Sequence, residues 1–255
     1  MADPNPDISR ILREWKYDPE SNVRKIVGEN GVHKLQVRVD QGAFQGILQL
    51  NLDGRPDGER PHDSDFVLDY YTDSLAEHRA NHSGDTGGFE LDRASCYELF
   101  DESARLYGRY VFLLQLKEYD RVISDTERNM RLFEFVHTYA SHEDDRQNLQ
   151  KWWPYILRIN ATAKAMLAFQ EKNFDESLAI LEAAGERISE LPEVEAEEFF
   201  VERERSQEAL EELAGELASK RPLTRKEQLE KVLQAAIERE DFEEAATLRD
   251  QLRQL

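Results

Sequence analysis

The stretch that most restricts what this chain can fold into is its last one, Thr224 to Leu255. Leu229, Val232, Leu233, Ala236 and Ile237 recur there at steps of three and four, which is one broad apolar face of a helix. Thr224 followed by Glu227 reads as a capping box at its start, the Thr oxygen and the Glu carboxylate each taking an orphan amide. The pattern breaks at Glu238-Arg239-Glu240. Asp241 with Glu244 then offers a second box, and Phe242, Ala245, Ala246, Leu248 and Leu252 carry helical spacing onward. Ala236 and Ala245/Ala246 are small enough for two helices to approach closely, with Phe242 expected to plug the turn. A hairpin of about 30 residues is too small to bury a core alone. One apolar face must be covered by the rest of the chain, by a second copy, or by another protein.

The run Leu229, Ala236, Asp241-Phe242-Glu243-Glu244-Ala245-Ala246, Leu248-Arg249-Asp250, Leu252 closely resembles the UVR motif of the UvrB and UvrC subunits of bacterial excision repair. In that family the hairpin is a protein–protein docking element, and it also occurs in McsA-type kinase activators and Clp ATPases. The resemblance implies docking, not a repair reaction. It implies a protein partner held by Leu233, Phe242, Ala245, Ala246, Leu248, Arg249, Asp250 and Leu252, with Phe242, Leu248 and Arg249 as anchors. Ile237 stands where a small residue is frequent in the family, and Glu240 where an apolar one often sits. McsA-type activators pair this hairpin with cysteine zinc sites, which the single Cys96 cannot build.

Acidic residues outnumber basic ones 53 to 33 over 255 residues, a formal charge of −20. That field repels phosphate backbones, so direct nucleic-acid binding is not expected. One cysteine excludes an internal disulfide framework. No apolar run approaches membrane-spanning length, and the polar start does not read as a signal peptide, so a cytoplasmic location is the expectation.

Along the chain, Asp7 to Trp15 reads as a short helix with Ile8, Ile11, Leu12 and Trp15 on one side. The rhythm then changes to alternation. Val23 to Leu52 reads as a small antiparallel sheet of two or three strands, with Asn30-Gly31 as a hairpin signal and Leu35, Val37 and Val39 alternating with Gln36, Arg38 and Asp40. The turn-rich loop Asp53–Asp63 follows, with Asp53, Arg55, Asp57 and Arg60 as its candidate residues. It reads either as a binding or catalytic loop or as a connection whose arginines pair with surrounding acids. Ser64 is placed to cap a helix through Phe66, Tyr70, Tyr71 and Leu75. His78 and His82 stand at i,i+4 spacing but lack the acid and third ligand of a metal set.

Between Asp92 and Ile188 two helical hairpins are expected, turning at Lys117-Glu118-Tyr119-Asp120 and at Glu171-Lys172-Asn173, the second with Asn173 and Glu176 as a capping pair. Ala165, Ser177 and Ala184 resemble the small crossing residues of tetratricopeptide repeats. Trp152-Trp153-Pro154-Tyr155 concentrates aromatics that read as core rather than as a ligand platform, with Pro154 starting or kinking a helix. A charged helix follows, expected from about Pro192 to about Lys220.

The fold class expected is α+β, mainly α, in four parts: 1–63 (helix, sheet and Gly/Pro loop), 64–190 (helical body), 191–221 (charged helix) and 222–255 (UVR-like hairpin). No nucleophile elbow, metal set, phosphate loop or dinucleotide fingerprint occurs, so no catalytic residue, metal or cofactor is expected. The function expected is a non-enzymatic adaptor that docks a protein partner, or a second copy as a homodimer, through 224–255. The alternatives are an accessory factor of nucleotide excision repair through UvrB/UvrC-type contacts, or an enzyme with its site in the Asp53–Asp63 loop, where His62 joins the aspartates as an acid–base candidate.

Overall fold

The structure, a computed structural model, describes residues 7–29, 31–223 and 225–253. Asn30 and Thr224, and with Thr224 the first capping box, lie outside the described residues. Among those described, the chain is mainly α with a small antiparallel β part. One compact unit ends at Leu213 and a second begins at Ala214, inside a helix.

In the first unit, α1 (Ser9–Glu14) precedes β1 (Val23–Val27), β2 (His33–Gln41) and β3 (Phe44–Asn51), in sheet order β1-β2-β3. The register sets Val23 opposite Val37 and Leu35 opposite Leu50. Gly31 and Gly42, at φ +76° and +61°, make the turns that only glycine takes without strain. Leu35, Val37 and Leu52 form the core face, as the alternation predicts. The other face of β2 departs from expectation: Gln36 and Arg38 are buried rather than solvated. Gln36 accepts from Arg24 and donates to Gln49 on the neighbouring strands, and Arg24 in turn stacks over Trp15 at 4.0 Å. Arg38 donates to the Val39 and Gly46 carbonyls. A row of polar side chains thus closes over its own strand.

Helices α2 (Val67–Asn81), α3 (Arg93–Gln115), α4 (Tyr119–Tyr139), α5 (Glu143–Asn148), α6 (Trp153–Gln170), α7 (Phe174–Ser189) and α8 (Glu197–Lys220) follow. Leu113, Tyr119, Val122, Ile159 and Ala163 bring α3, α4 and α6 onto the sheet core. A small sheet needs a covered hydrophobic face to be stable, and these helices cover it. In α6 and α7, Ala165 and Ser177 are fully buried, and Ser177 Oγ donates to the Ala165 carbonyl at 2.8 Å, so the helices meet closely. Pro154 sits in the first turn of α6, where its missing N–H costs nothing. Pro192 lies before α8, which starts five residues later at Glu197.

Two charged residues on α3 tie the unit together. Arg109 makes a bidentate pair with Asp125 of α4 at 2.8 and 2.6 Å, and its remaining terminal nitrogen donates to the Asn51 and Gly54 carbonyls at 3.0 and 2.7 Å. Glu102, fully buried, accepts the Val67 and Leu68 amides at 2.6 and 3.1 Å. Ser64 was the expected cap of α2. The helix begins instead at Val67 with no side-chain cap of its own, because Glu102 from another helix satisfies its first amides. Asn173 likewise makes no side-chain cap.

The hairpin turns use backbone instead. Lys117 and Lys172 take φ +60° and +67°. The Glu118 amide donates to the Leu113 carbonyl at 3.0 Å and the Asn173 amide to Ala168 at 2.9 Å, closing each preceding helix in a Schellman motif. The side chain is irrelevant to this closure; the backbone does the capping.

Three outcomes follow. Asp125→Ala leaves the buried Arg109 guanidinium without its counter-ion, and urea unfolding is expected to show a loss of about 3–5 kcal/mol; a loss below about 1 kcal/mol would remove the pair from this role. Lys172→Gly relieves a left-handed residue and is expected to add about 1 kcal/mol, read from the same midpoints. Burial pushes the Glu102 carboxyl above its ordinary value, ahead of the opposing pull of the Val67 and Leu68 amides. The folded state therefore keeps a proton over a range where the unfolded chain has lost it, so this group's contribution falls as pH rises through that range. Measured from about pH 4 to about pH 7, wild type is expected to lose stability relative to Glu102→Gln; a gap moving the other way would reverse the sign.

Candidate functional site

The second unit carries the hairpin of α9 (Arg225–Glu238) and α10 (Phe242–Leu252). The turn repeats the device of the first unit. Glu240 takes φ +61°, its amide donates to the Ile237 carbonyl at 3.0 Å, and the Asp241 amide donates to Ala236 at 2.9 Å. Asp241 Oδ1 caps α10 by accepting the Glu244 amide at 3.1 Å. The reciprocal half of the expected box is missing: with the Asp241 amide engaged by Ala236, the Glu244 carboxylate pairs with Arg239 at 3.1 Å.

The apolar residues sort into two sets. Ala236 and Leu248 are buried, and Leu229, Leu233, Ala245 and Leu252 are half-buried. Leu229, Leu233 and Ala236 stand at i, i+4, i+7 and Ala245, Leu248 and Leu252 at i, i+3, i+7, the rows along which two paired helices meet. A second set stays in solvent. Val232 is 43% exposed, Ile237 47% and Phe242 70%. The expected plug at the turn is therefore corrected: Phe242 is the first residue of α10 and its ring lies outside. Ala246, Arg249 and Asp250 are also exposed. Of the residues the resemblance marks for a partner, Leu233, Ala245, Leu248 and Leu252 are at least half covered, and Phe242, Ala246, Arg249 and Asp250 face water. Val232 and Ile237, not marked beforehand, join the exposed group; they fall off the Leu229–Leu233–Ala236 row, which is the signal that could have separated them.

Internal comparison sharpens the position of Phe242. Each of the three turns runs from a left-handed residue through a polar one to an aromatic: Lys117-Glu118-Tyr119, Lys172-Asn173-Phe174 and Glu240-Asp241-Phe242. Tyr119 is 5% exposed in the sheet core, and Phe174 is half-buried with its ring 5.1 Å from Phe169. The third aromatic has no such cover.

The loop Asp53–Asp63 has a different character. Arg55 is buried, 3.2 Å from Asp57 and 2.7 Å from Asp101, and Arg105 lies 3.2 and 2.6 Å from the same two carboxylates. The four side chains close a charge-balanced square that fastens the loop to α3. Asp53 pairs with Arg121 at 2.6 Å, and Arg60 with Asp65 at 3.1 Å in solvent. His62 and Asp63 both take positive φ, 55° and 59°, in a short 3-10 turn. His62 stacks on Tyr70 at 4.0 Å and meets Glu98 at 2.8 Å, while the Tyr71 hydroxyl donates to Glu98 at 3.0 Å. Burial pushes the Tyr71 phenol up to about 12. A strained backbone of this kind persists only where its surroundings over-determine it, and here the Glu98 carboxylate and the Tyr70 ring do so. The His78 and His82 rings stack at 4.0 Å, with Nε2 of His78 bonded to the Gly87 carbonyl at 3.1 Å. No helix among the described residues is long and apolar enough to cross a membrane.

Compared with known families, residues 224–255 match the model of the UVR family, the UvrB/uvrC motif, a span that takes in α9 and α10. Neither a curated protein nor a solved structure matches the chain. The chain thus carries a UVR motif, a module associated with protein interaction, joined to a body for which these comparisons supply no counterpart.

Proposed function

We propose that this protein is a non-enzymatic adaptor whose UVR hairpin docks a protein partner. The observation that carries the reading is the division of the hairpin's apolar residues: an inner row closes α9 on α10, and Val232, Ile237 and Phe242 are left in water. Burying a large aromatic and two branched side chains is worth about 1.5–3 kcal/mol each before association costs. Phe242 is the central anchor, with Ala246 allowing close approach beside it. Arg249 and Asp250 orient the partner by charge-assisted contacts. Leu233, Ala245, Leu248 and Leu252 act beneath, holding the two helices in the shape that presents this surface. The segments 1–63 and 64–190 form the body, 191–221 the charged helix between, and 222–255 the docking element. The partner is a protein; the charge of −20 argues against direct contact with nucleic acid.

The matched motif supports one more specific form of this reading, an accessory factor of nucleotide excision repair that uses UvrB/UvrC-type contacts. It shares the same surface and the same anchor.

The test compares the full chain with its Phe242→Asp variant, first by circular dichroism and then by affinity capture and mass spectrometry. Phe242 is 70% exposed, so the fold is expected to be unchanged. At least one protein is expected to be captured about tenfold less well by the variant. Capture of the same set by both would refute docking through this surface. Recovery of the chain's own copies alone, lost in the variant, would assign the surface to a homodimer.

A further inference from the structure

The first unit holds a cavity of about 400 Å³ between α3, α4, the α5–α6 connection and α8. Its walls are aromatic: Phe100, Tyr107, Phe133, Trp152 and Tyr155, with Asn129 at one side. The expectation that the Trp152–Tyr155 cluster is core holds for Trp153, which is buried and packs edge-on against Phe133 at 5.6 Å. Trp152 departs from it. It is 37% exposed and lines the cavity with Tyr155, whose ring is tilted against Tyr107 at 5.7 Å. The volume lies in the range of small-molecule sites, which are largely apolar with a few placed polar groups.

The polar groups define the ligand. Asn129 is 1% exposed; its Nδ2 donates to the Ser103 carbonyl at 3.3 Å, and its Oδ1 is buried with no partner in the protein. A buried acceptor without a donor is unfavourable, and a ligand that supplies the donor recovers that loss. The Glu202 carboxylate also lines the cavity, but Arg158 at 3.8 Å and Arg205 at 3.4 Å already balance it, so a charged ligand is not required. Ring faces carry negative charge density and favour flat partners stacked or set edge-on against them. We propose that this cavity is a binding site for a small, neutral, flat heteroaromatic molecule that donates an N–H to Asn129 Oδ1. The site is built wholly within the first unit and does not depend on the hairpin reading.

Indole is a direct probe, and benzofuran is its near-isostere with an oxygen in place of the N–H. Calorimetric titration of the full-length protein is expected to show saturable indole binding, about tenfold tighter than benzofuran because only indole satisfies Asn129. Ala104 is an exposed cavity residue, so Ala104→Trp is expected to fold and to weaken both probes at least tenfold by filling the space. Asn129→Leu is expected to abolish the preference for indole over benzofuran. Should that core variant misfold, the two probes on wild type still decide. Absent saturable binding of indole, equal affinity for the two probes, or indifference to Ala104→Trp would each overturn the proposal. N-acetyl-tryptophanamide binding tenfold tighter than indole would assign the cavity to a tryptophan of a partner protein and overturn the small-molecule assignment.

Discussion

The body of this protein depends on how one guanidinium is satisfied. Arg109, buried on α3, spends one edge on Asp125 of α4 and the remaining nitrogen on carbonyls at the end of β3 and in the turn beyond it. Those carbonyls belong to Asn51, the last residue of β3, and to Gly54 in the turn, so one side chain fixes where the strand ends and the loop begins. The planar fork of an arginine can serve a carboxylate and two carbonyls at once; a lysine offers no such geometry. A buried ion pair is a poor source of net stability, since desolvation cancels most of its attraction. What it supplies here is registry. The end of the sheet is tied to α3 and α4 at one point, and the Arg55–Asp57–Asp101–Arg105 square pins the following loop to α3.

Glu102 stands seven residues before Arg109, so both project from one face of α3, interleaved with Leu99, Leu106 and Leu113. Its carboxylate replaces the missing N-cap of α2. One helix stripe therefore combines hydrophobic burial with two charged groups that organise the start of α2, the end of the sheet and the flank of α4. Removing either charge leaves buried partners exposed to the same desolvation cost that the pairing relieves.

The helical pairs share another economy. At Lys117, Lys172 and Glu240 the chain turns through a left-handed residue that is not glycine, and the next aromatic opens the return helix. In the first two turns that aromatic meets the sheet core or a neighbouring ring. In the third, Phe242 meets water. The difference is not in the turn, whose hydrogen bonds are the same, but in what lies over it. An adaptor reading of the hairpin rests on that contrast.

Periodicity made the helices, the strands and the hairpin turns readable, because helix and strand repeats are local and survive in any context. The UVR motif was readable too, from Leu229 to Leu252, since its residues lie within one short stretch. Other features were not. Ser64 and Asn173 have the side chains of good caps, yet α2 is capped by Glu102 from 35 residues away and α7 follows a turn closed by backbone. Gln36 and Arg38 alternate as solvent-facing residues should, but polar neighbours across the strands bury them. Asn129 carries no local mark of the cavity it lines, and Trp152 is marked only as one of an aromatic cluster that reads as core. By itself the sequence determined the element types, the small sheet before the helices, and a terminal hairpin with more apolar surface than it can hide. Tertiary structure alone decided which charges became internal clamps and which aromatics stayed uncovered, because those outcomes depend on contacts between residues that the chain order keeps apart.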